Sequence, residues 1–157
     1  MLNLTGQCAC ANVQYEILDE PLVTQICHCK DCQRTTGSAF VIHIVLCEMD
    51  LKISGQTEMS LGPSGSGAGC ELHRCANCGV IIWVRYRYHQ VPVIAVRAGT
   101  LIDPSQVKPA AQIFVDSKRA WLGVSPDIPA YSKGAERSEF WPAESIKRYD
   151  TLPLRLS

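Results

Sequence analysis

Cys27-His28-Cys29-Lys30-Asp31-Cys32 places three cysteines within six residues. Thiolates are soft ligands that suit zinc, and both spacings are short enough for the three sulfurs to converge from one turn. Four ligands make a closed structural zinc, whereas three leave a coordination position for a substrate atom. Three thiolates overcompensate the metal charge, so such a zinc is a poor Lewis acid for making hydroxide. It is well suited to binding a thiol and removing its proton. A free thiol, with a pKa of about 8.5, is mostly protonated near neutrality. Held as a thiolate beside a carbonyl, it gains both activation and proximity. His28 sits between two candidate ligands. Alternation in an extended segment turns its side chain away from the sulfurs, towards a supporting or pocket-lining place. Cys47, Cys70, His43 and His73 are the residues available to close the site. Each has an ordinary alternative, as a packing thiol or a hydrogen-bonded histidine, and we read the site as open.

A second set of cysteines has a different character. Cys8-x-Cys10 lies near the start of the chain and Cys75-x-x-Cys78-Gly79 near its middle. A C-x-x-C-G turn is a knuckle in which amide N–H groups face the sulfurs and glycine relieves the backbone. The two pairs together supply four thiolates, a full tetrahedral set for structural zinc. Structural zinc contributes roughly 10–16 kcal/mol of apparent binding free energy in zinc-finger peptides, so this site should hold the domain together.

The elements that must position these ligands read as β. Leu2–Gln7 and Asn12–Leu18 flank a turn at the first cysteine pair. Val23–Cys27 and Ala39–Leu46 flank the three-cysteine segment. Leu51–Ser54 and Thr57–Leu61 read as a hairpin around Gly55-Gln56. Val80–Tyr88, Val91–Ala98 and Ala110–Val115 are further strands, with Pro92 marking an edge or a strand start. Helical signals are confined to Cys29–Thr36, stopped by Gly37, and Glu136–Phe140, stopped by Pro142. The segment Pro63–Gly69 reads as a loop, either a mobile lid or a long connection. We expect a single domain over residues 1–157.

Composition narrows the function. The chain has 157 residues, 46% hydrophobic and 19% charged, with 15 basic and 15 acidic side chains. A neutral balance gives no footprint for nucleic acid or an anionic membrane, and loading zinc onto thiolates makes the charge more negative still. Apolar runs such as Val80–Trp83 are too short to span a bilayer. Nine cysteines cannot all pair within one chain. Met1–Cys10 lacks a basic segment followed by an apolar run, so no secretory signal is expected. A reducing, cytoplasmic setting then favours metal thiolates over disulfides.

Gly6-x-Cys8-x-Cys10, Val13-x-Tyr15-Glu16, Cys27-His28-Cys29-x-x-Cys32 and Cys75-x-x-Cys78-Gly79 together resemble the glutathione-dependent formaldehyde-activating enzyme family, which includes centromere protein V-like proteins. Thr36-Gly37-Ser38, Gly99-Thr100-Leu101 and Ile113 to Trp121 fit the same pattern. The resemblance runs from about residue 3 to 132 and leaves 133–157 as an extension. It implies an all-β, Mss4-like fold stapled by two zinc sites. It also implies structural ligands Cys8, Cys10, Cys75 and Cys78, and catalytic ligands Cys27, Cys29 and Cys32. The implied reaction is that of a carbon–sulfur lyase joining a thiol, nominally glutathione, to a small aldehyde, nominally formaldehyde. The chain departs from the family at Ala11, where glycine is usual, and glutathione contacts cannot be placed on it.

Two other readings compete. In one, both zinc sites are closed and the chain is a binding module without catalysis. In the other, Cys47 or Cys70 is a redox nucleophile with a depressed pKa. Trp83, Arg85, Tyr86, Arg87 and Tyr88 read as a half-buried strand with arginine on its wet face, in preference to a single-strand nucleic-acid platform. Lys118 and Arg119 beside Trp121 are either a carboxylate clamp or surface charges.

Overall fold

The computed structural model describes residues 4–155; Leu2 and Asn3 of the first expected strand lie outside them. Among the described residues, ten strands form two sheets. The smaller contains β1 (Leu4–Gln7), β2 (Gln14–Ile17) and β5 (Leu51–Ser54) in the order β1-β2-β5. The larger contains β3 (Val23–Cys27), β4 (Val41–Cys47), β6 (Thr57–Gly62), β7 (Cys70–Cys75), β8 (Ile81–Tyr86), β9 (Val93–Arg97) and β10 (Ala111–Ile113). Its order is β10-β3-β4-β9-β8-β7-β6. Every pairing is antiparallel except β10 with β3, which is parallel. Three α-helices accompany the sheets: α1 (Lys30–Thr36), α2 (Arg137–Phe140) and α3 (Ala143–Asp150).

The mostly β reading holds. The central strand β4, Val-Ile-His-Ile-Val-Leu-Cys, shows why the sheet is covered on both faces. Side chains alternate across a strand, and both alternating sets of β4 are nearly all buried. Ile44 and Leu46 meet Leu4, Val13, Tyr15 and Ile17 in the core between the two sheets. Val45 and Cys47 face the opposite side, against Leu22, Val91, Val93, Trp141 and Tyr149. The chain after β10 therefore adds a second covering layer through Trp141 and α3.

One expectation is corrected, and two elements appear that the sequence did not announce. Leu51–Ser54 and Thr57–Leu61 do not form a hairpin: β5 pairs with β2 and β6 with β7, so the chain changes sheets at Gly55. Gly55 has φ +93°, and a Cβ there would stand 2.0 Å from the Asn12 carbonyl oxygen. The residue thus serves a close crossing of chains, not a two-residue turn. Strand β7 and helix α3 carried no expectation. The ligands and charges in Cys70–Cys75 obscure its alternation, and α3 follows Pro142, which read only as a stop. Pro92 marks a strand start, since β9 opens at Val93 and lies between β4 and β8.

The helix at Cys29–Thr36 forms as expected. Cys29 is its N-cap, its sulfur accepting from the Cys32 amide, and Gly37 ends it in the left-handed region at φ +64°. Glu136 caps α2 through a capping box with Glu139.

Candidate functional site

The pairs Cys8/Cys10 and Cys75/Cys78 meet. Cys8 and Cys10 lie in the turn between β1 and β2; Cys75 ends β7, and Cys78 follows in the knuckle before β8. Their four sulfurs all lie within 4.8 Å of one another. Cys8 and Cys10 Sγ are 3.5 Å apart, and Cys10 and Cys75 Sγ 3.7 Å. Zinc with Zn–S bonds of about 2.3 Å in a tetrahedron needs sulfurs about 3.8 Å apart, so the group fits that ion. The Val13 amide donates to Cys8 Sγ at 3.2 Å and the Asn77 amide to Cys75 Sγ at 3.4 Å. Gly79 adopts φ +74°. Ala11 adopts φ +59°, which explains why glycine suits that position.

Cys27, Cys29 and Cys32 converge separately, also within 4.8 Å of one another, and all three are buried. Cys27 ends β3, Cys29 caps α1 and Cys32 lies in its first turn. Gln33 locks the segment by donating to the His28 carbonyl at 2.7 Å and to the Ser117 carbonyl at 2.9 Å. Hydrogen bonds from the Cys27 and Cys32 thiols, with amides of α1, hold the Cys29 thiol down to about 2, and the Cys27 thiol is pushed up by the same sulfur contacts. The trio thus favours an anion even before a cation arrives. Among the described residues, no fourth Cys, His, Asp or Glu atom joins this group within that distance.

The larger sheet supplies the surroundings through its register. Gln25 of β3 stands opposite His43 of β4, and His43 opposite Arg97 of β9. His43 Nε2 lies 3.6 Å from Cys32 Sγ and 3.1 Å from the Tyr86 hydroxyl, which is 3.8 Å from the same sulfur. An Arg97 guanidinium nitrogen is 3.3 Å from both ring nitrogens of His43. Burial, reinforced by Arg97, holds His43 well below the usual imidazole range, so it is neutral at neutral pH. Burial also raises Tyr86 well above the usual phenol range, keeping its proton in place. Arg97 is only 5% exposed and places one fixed positive charge beneath the anionic trio.

Above the sulfurs opens a cavity of about 360 Å³ lined by all three cysteines, His43 and Tyr86. Ser64, Gly65 and Ser66, from the loop joining β6 to β7, form part of its rim. Gly65 is pressed against the site, since a Cβ there would lie 3.0 Å from Cys29 Cβ and 3.1 Å from the Phe114 ring.

The remaining candidates lie elsewhere. Cys70 donates to the Pro63 carbonyl at 3.3 Å, and burial raises both its thiol and that of Cys47. Neither has the depressed pKa of a redox nucleophile. His73 stacks on Trp83 with ring centroids 3.4 Å apart. His28 is buried against Phe40 and is absent from the cavity lining, so it supports the segment from behind. Lys118, Arg119 and the exposed Trp121 do not reach the cavity. Arg85 is held by Glu71 at 2.5 Å and by Glu48, as a structural strand requires. Sequence reasoning gave no role in the site to Tyr86 or Arg97. Their places in the apolar strands β8 and β9 carried the only signal, and it reads equally as core.

Residues 3–117 match the sequence model of a family described as glutathione-dependent formaldehyde-activating enzyme. No curated protein matches. Among solved structures, the chain is similar to a Rhodobacter sphaeroides protein determined in a structural-genomics programme. That match has 19% identity, covers 81% of this chain and 98% of the other, and has a TM-score of 0.48. With the family match spanning most of its length and both cysteine groups within it, the chain belongs to the glutathione-dependent formaldehyde-activating enzyme family.

Proposed function

We propose that the protein is a zinc-dependent carbon–sulfur lyase that adds a thiol, nominally glutathione, to a small aldehyde, and catalyses the reverse. One observation carries this reading: three buried sulfurs, with no fourth ligand atom among them, sit at the floor of a cavity able to admit a small molecule. Cys8, Cys10, Cys75 and Cys78 would hold a structural zinc, and Cys27, Cys29 and Cys32 a catalytic one. Bound there, zinc would keep an open position and hold an incoming thiol in its deprotonated form.

The chain's own residues do the rest. The buried Arg97 offsets the excess negative charge of three thiolates. The cavity walls limit water and confine the aldehyde near the sulfurs. As the sulfur–carbon bond forms, the carbonyl π electrons move to oxygen, which then takes up a proton. We assign Tyr86, which lines the cavity with its hydroxyl 3.1 Å from His43 Nε2, as the proton donor to that oxygen, its phenol being restored by the proton that the thiol releases. In the reverse direction these transfers run backwards, the hydroxyl proton passing to the Tyr86 phenolate as the carbon–sulfur bond breaks and the released thiolate taking up a proton from water. An odd set of thiols divided between two metal groups suits a reducing cytoplasm.

The second reading, a closed binding module, is favoured by one contact: His43 Nε2 at 3.6 Å from Cys32 Sγ could serve as a fourth ligand after a small shift. Cobalt substitution separates the two. In an open site, adding thiol changes the ligand-field spectrum of one of two cobalt ions. An unchanged spectrum in fully loaded protein, with one metal lost from His43→Ala, would establish the closed module.

A further inference from the structure

The cavity above the cysteines is far larger than an aldehyde of one carbon requires, at about 360 Å³. Its far wall is built by chain beyond the family match, which ends at residue 117. Phe140 and Trp141 come from the end of α2, and Phe114 and Tyr88 complete an aromatic lining. Such walls favour a flat apolar body.

The same wall carries a small group of hydrogen-bond donors. Arg137 is the one Lys or Arg side chain in the lining. Its guanidinium lies 4.0 Å over the Tyr149 ring, and its buried Nε has no hydrogen-bond partner among the described residues. The nearest carboxylate, Asp150, is 3.9 Å away with both side chains well exposed, a weak and screened pairing. Glu136 also lines the cavity; in the capping box of α2 its amide donates to the Glu139 carboxylate at 2.6 Å. His89 is 5% exposed, and its Nδ1 lies 2.9 Å from the Tyr149 hydroxyl. With the phenol donating to Nδ1, the ring proton sits on Nε2 and is free for a ligand. Burial and the neighbouring Arg137 hold His89 down to about 4, so the neutral ring persists at neutral pH.

We propose that this cavity takes a flat aromatic ligand bearing one carboxylate, its acid group on Arg137 and His89 and its reacting sulfur or carbonyl at Cys27, Cys29 and Cys32. This rests on the thiol–aldehyde reading only for the identity of the reacting group. Glutathione suits the cavity less well: it is flexible, carries two carboxylates and an ammonium, and has no aromatic ring. One lining cation and aromatic walls satisfy few of those groups.

The test is calorimetry on the full, zinc-loaded chain, with quenching of tryptophan fluorescence as a second readout. The probes are 4-formylbenzoate, 4-mercaptobenzoate, the methyl ester of each, and glutathione. Expected is binding of at least one acid about tenfold or more tighter than its ester. The acid that binds shows whether the aryl group belongs to the aldehyde or to the thiol. Arg137→Met should erase the difference between acid and ester, and Arg137→Lys should keep part of it. Equal affinity of acids and esters on the unsubstituted chain overturns the proposal whether or not the variants fold, as does tighter binding of glutathione than of either acid. Acid-selective binding without turnover would sink the lyase reading alone. Turnover of a thiol and an aldehyde without acid preference would sink this proposal alone.

Discussion

The Tyr86 hydroxyl and His43 Nε2 lie 3.1 Å apart, and both reach towards the sulfur of Cys32. The two residues sit on strands separated by β9 in the larger sheet, so their meeting depends on register across three strands. Replacing Tyr86 by Phe removes the proposed proton donor and leaves the ring's packing in place. Turnover of thiol with aldehyde should fall about 10²-fold or more, the usual scale for a positioned acid or base. Bound zinc should stay unchanged. Retained activity in a metal-replete variant would remove Tyr86 from the mechanism.

Gly65 and Gly99 make a controlled pair. A methyl group at Gly65 would press on Cys29 Cβ at 3.0 Å and Cys29 Sγ at 3.2 Å, whereas at Gly99 nothing lies within 4 Å. Gly65→Ala should therefore weaken metal retention or activity at the three-cysteine site, through a clash of about 1–3 kcal/mol. Gly99→Ala should change neither by more than twofold. Metal content and rate measured side by side decide the matter, and equal behaviour of the two variants would show that the loop gives way freely.

The four-cysteine group should govern stability more than chemistry. Cys75 is buried, its sulfur 3.7 Å from Cys10 Sγ across the junction of the two sheets. Cys75→Ser should release one zinc and lose the cooperative thermal transition, because a structural zinc contributes folding free energy directly. Cys29→Ser should release the other zinc and abolish activity while largely keeping the transition. If the two variants melt alike, the division into a structural and a catalytic metal is wrong.

Acid should destabilise the fold through His89. Its folded pKa, about 4, lies below the ordinary histidine value because of burial and Arg137. Below about pH 6.5 the unfolded chain takes up a proton that the folded ring refuses, so stability falls until about pH 4. The loss is on the order of 3 kcal/mol at one pKa unit per 1.36 kcal/mol. Urea denaturation between pH 7 and pH 4 should show that slope. His89→Gln should flatten it, and an unaltered slope would assign the effect to other groups.

Although the meeting of the two cysteine pairs depends on how the sheets pack, cysteine spacing made the three-cysteine group and each pair of the four-cysteine group legible, because convergence of sulfurs within a turn depends on a few covalent links. The same holds for α1, where a side-chain N-cap and a left-handed Gly37 bracket seven residues. A continuous β-branched, apolar run was enough for β4 and β9, which are buried on both faces. Periodicity says which face of a strand is wet but not which strand lies beside it. The assignment of β5 and β6 to different sheets and the parallel seat of β10 therefore appear only once the sheets pack. Tyr86 and Arg97 read equally well as ordinary strand residues until register sets them against His43. Arg137 gained a place at the cavity only because α2 folds back over the cysteines. The chain's local chemistry thus determined what could bind metal. The packing of segments far apart in sequence decided what surrounds the three-cysteine site, because such contacts are set by the whole core and not by neighbouring residues.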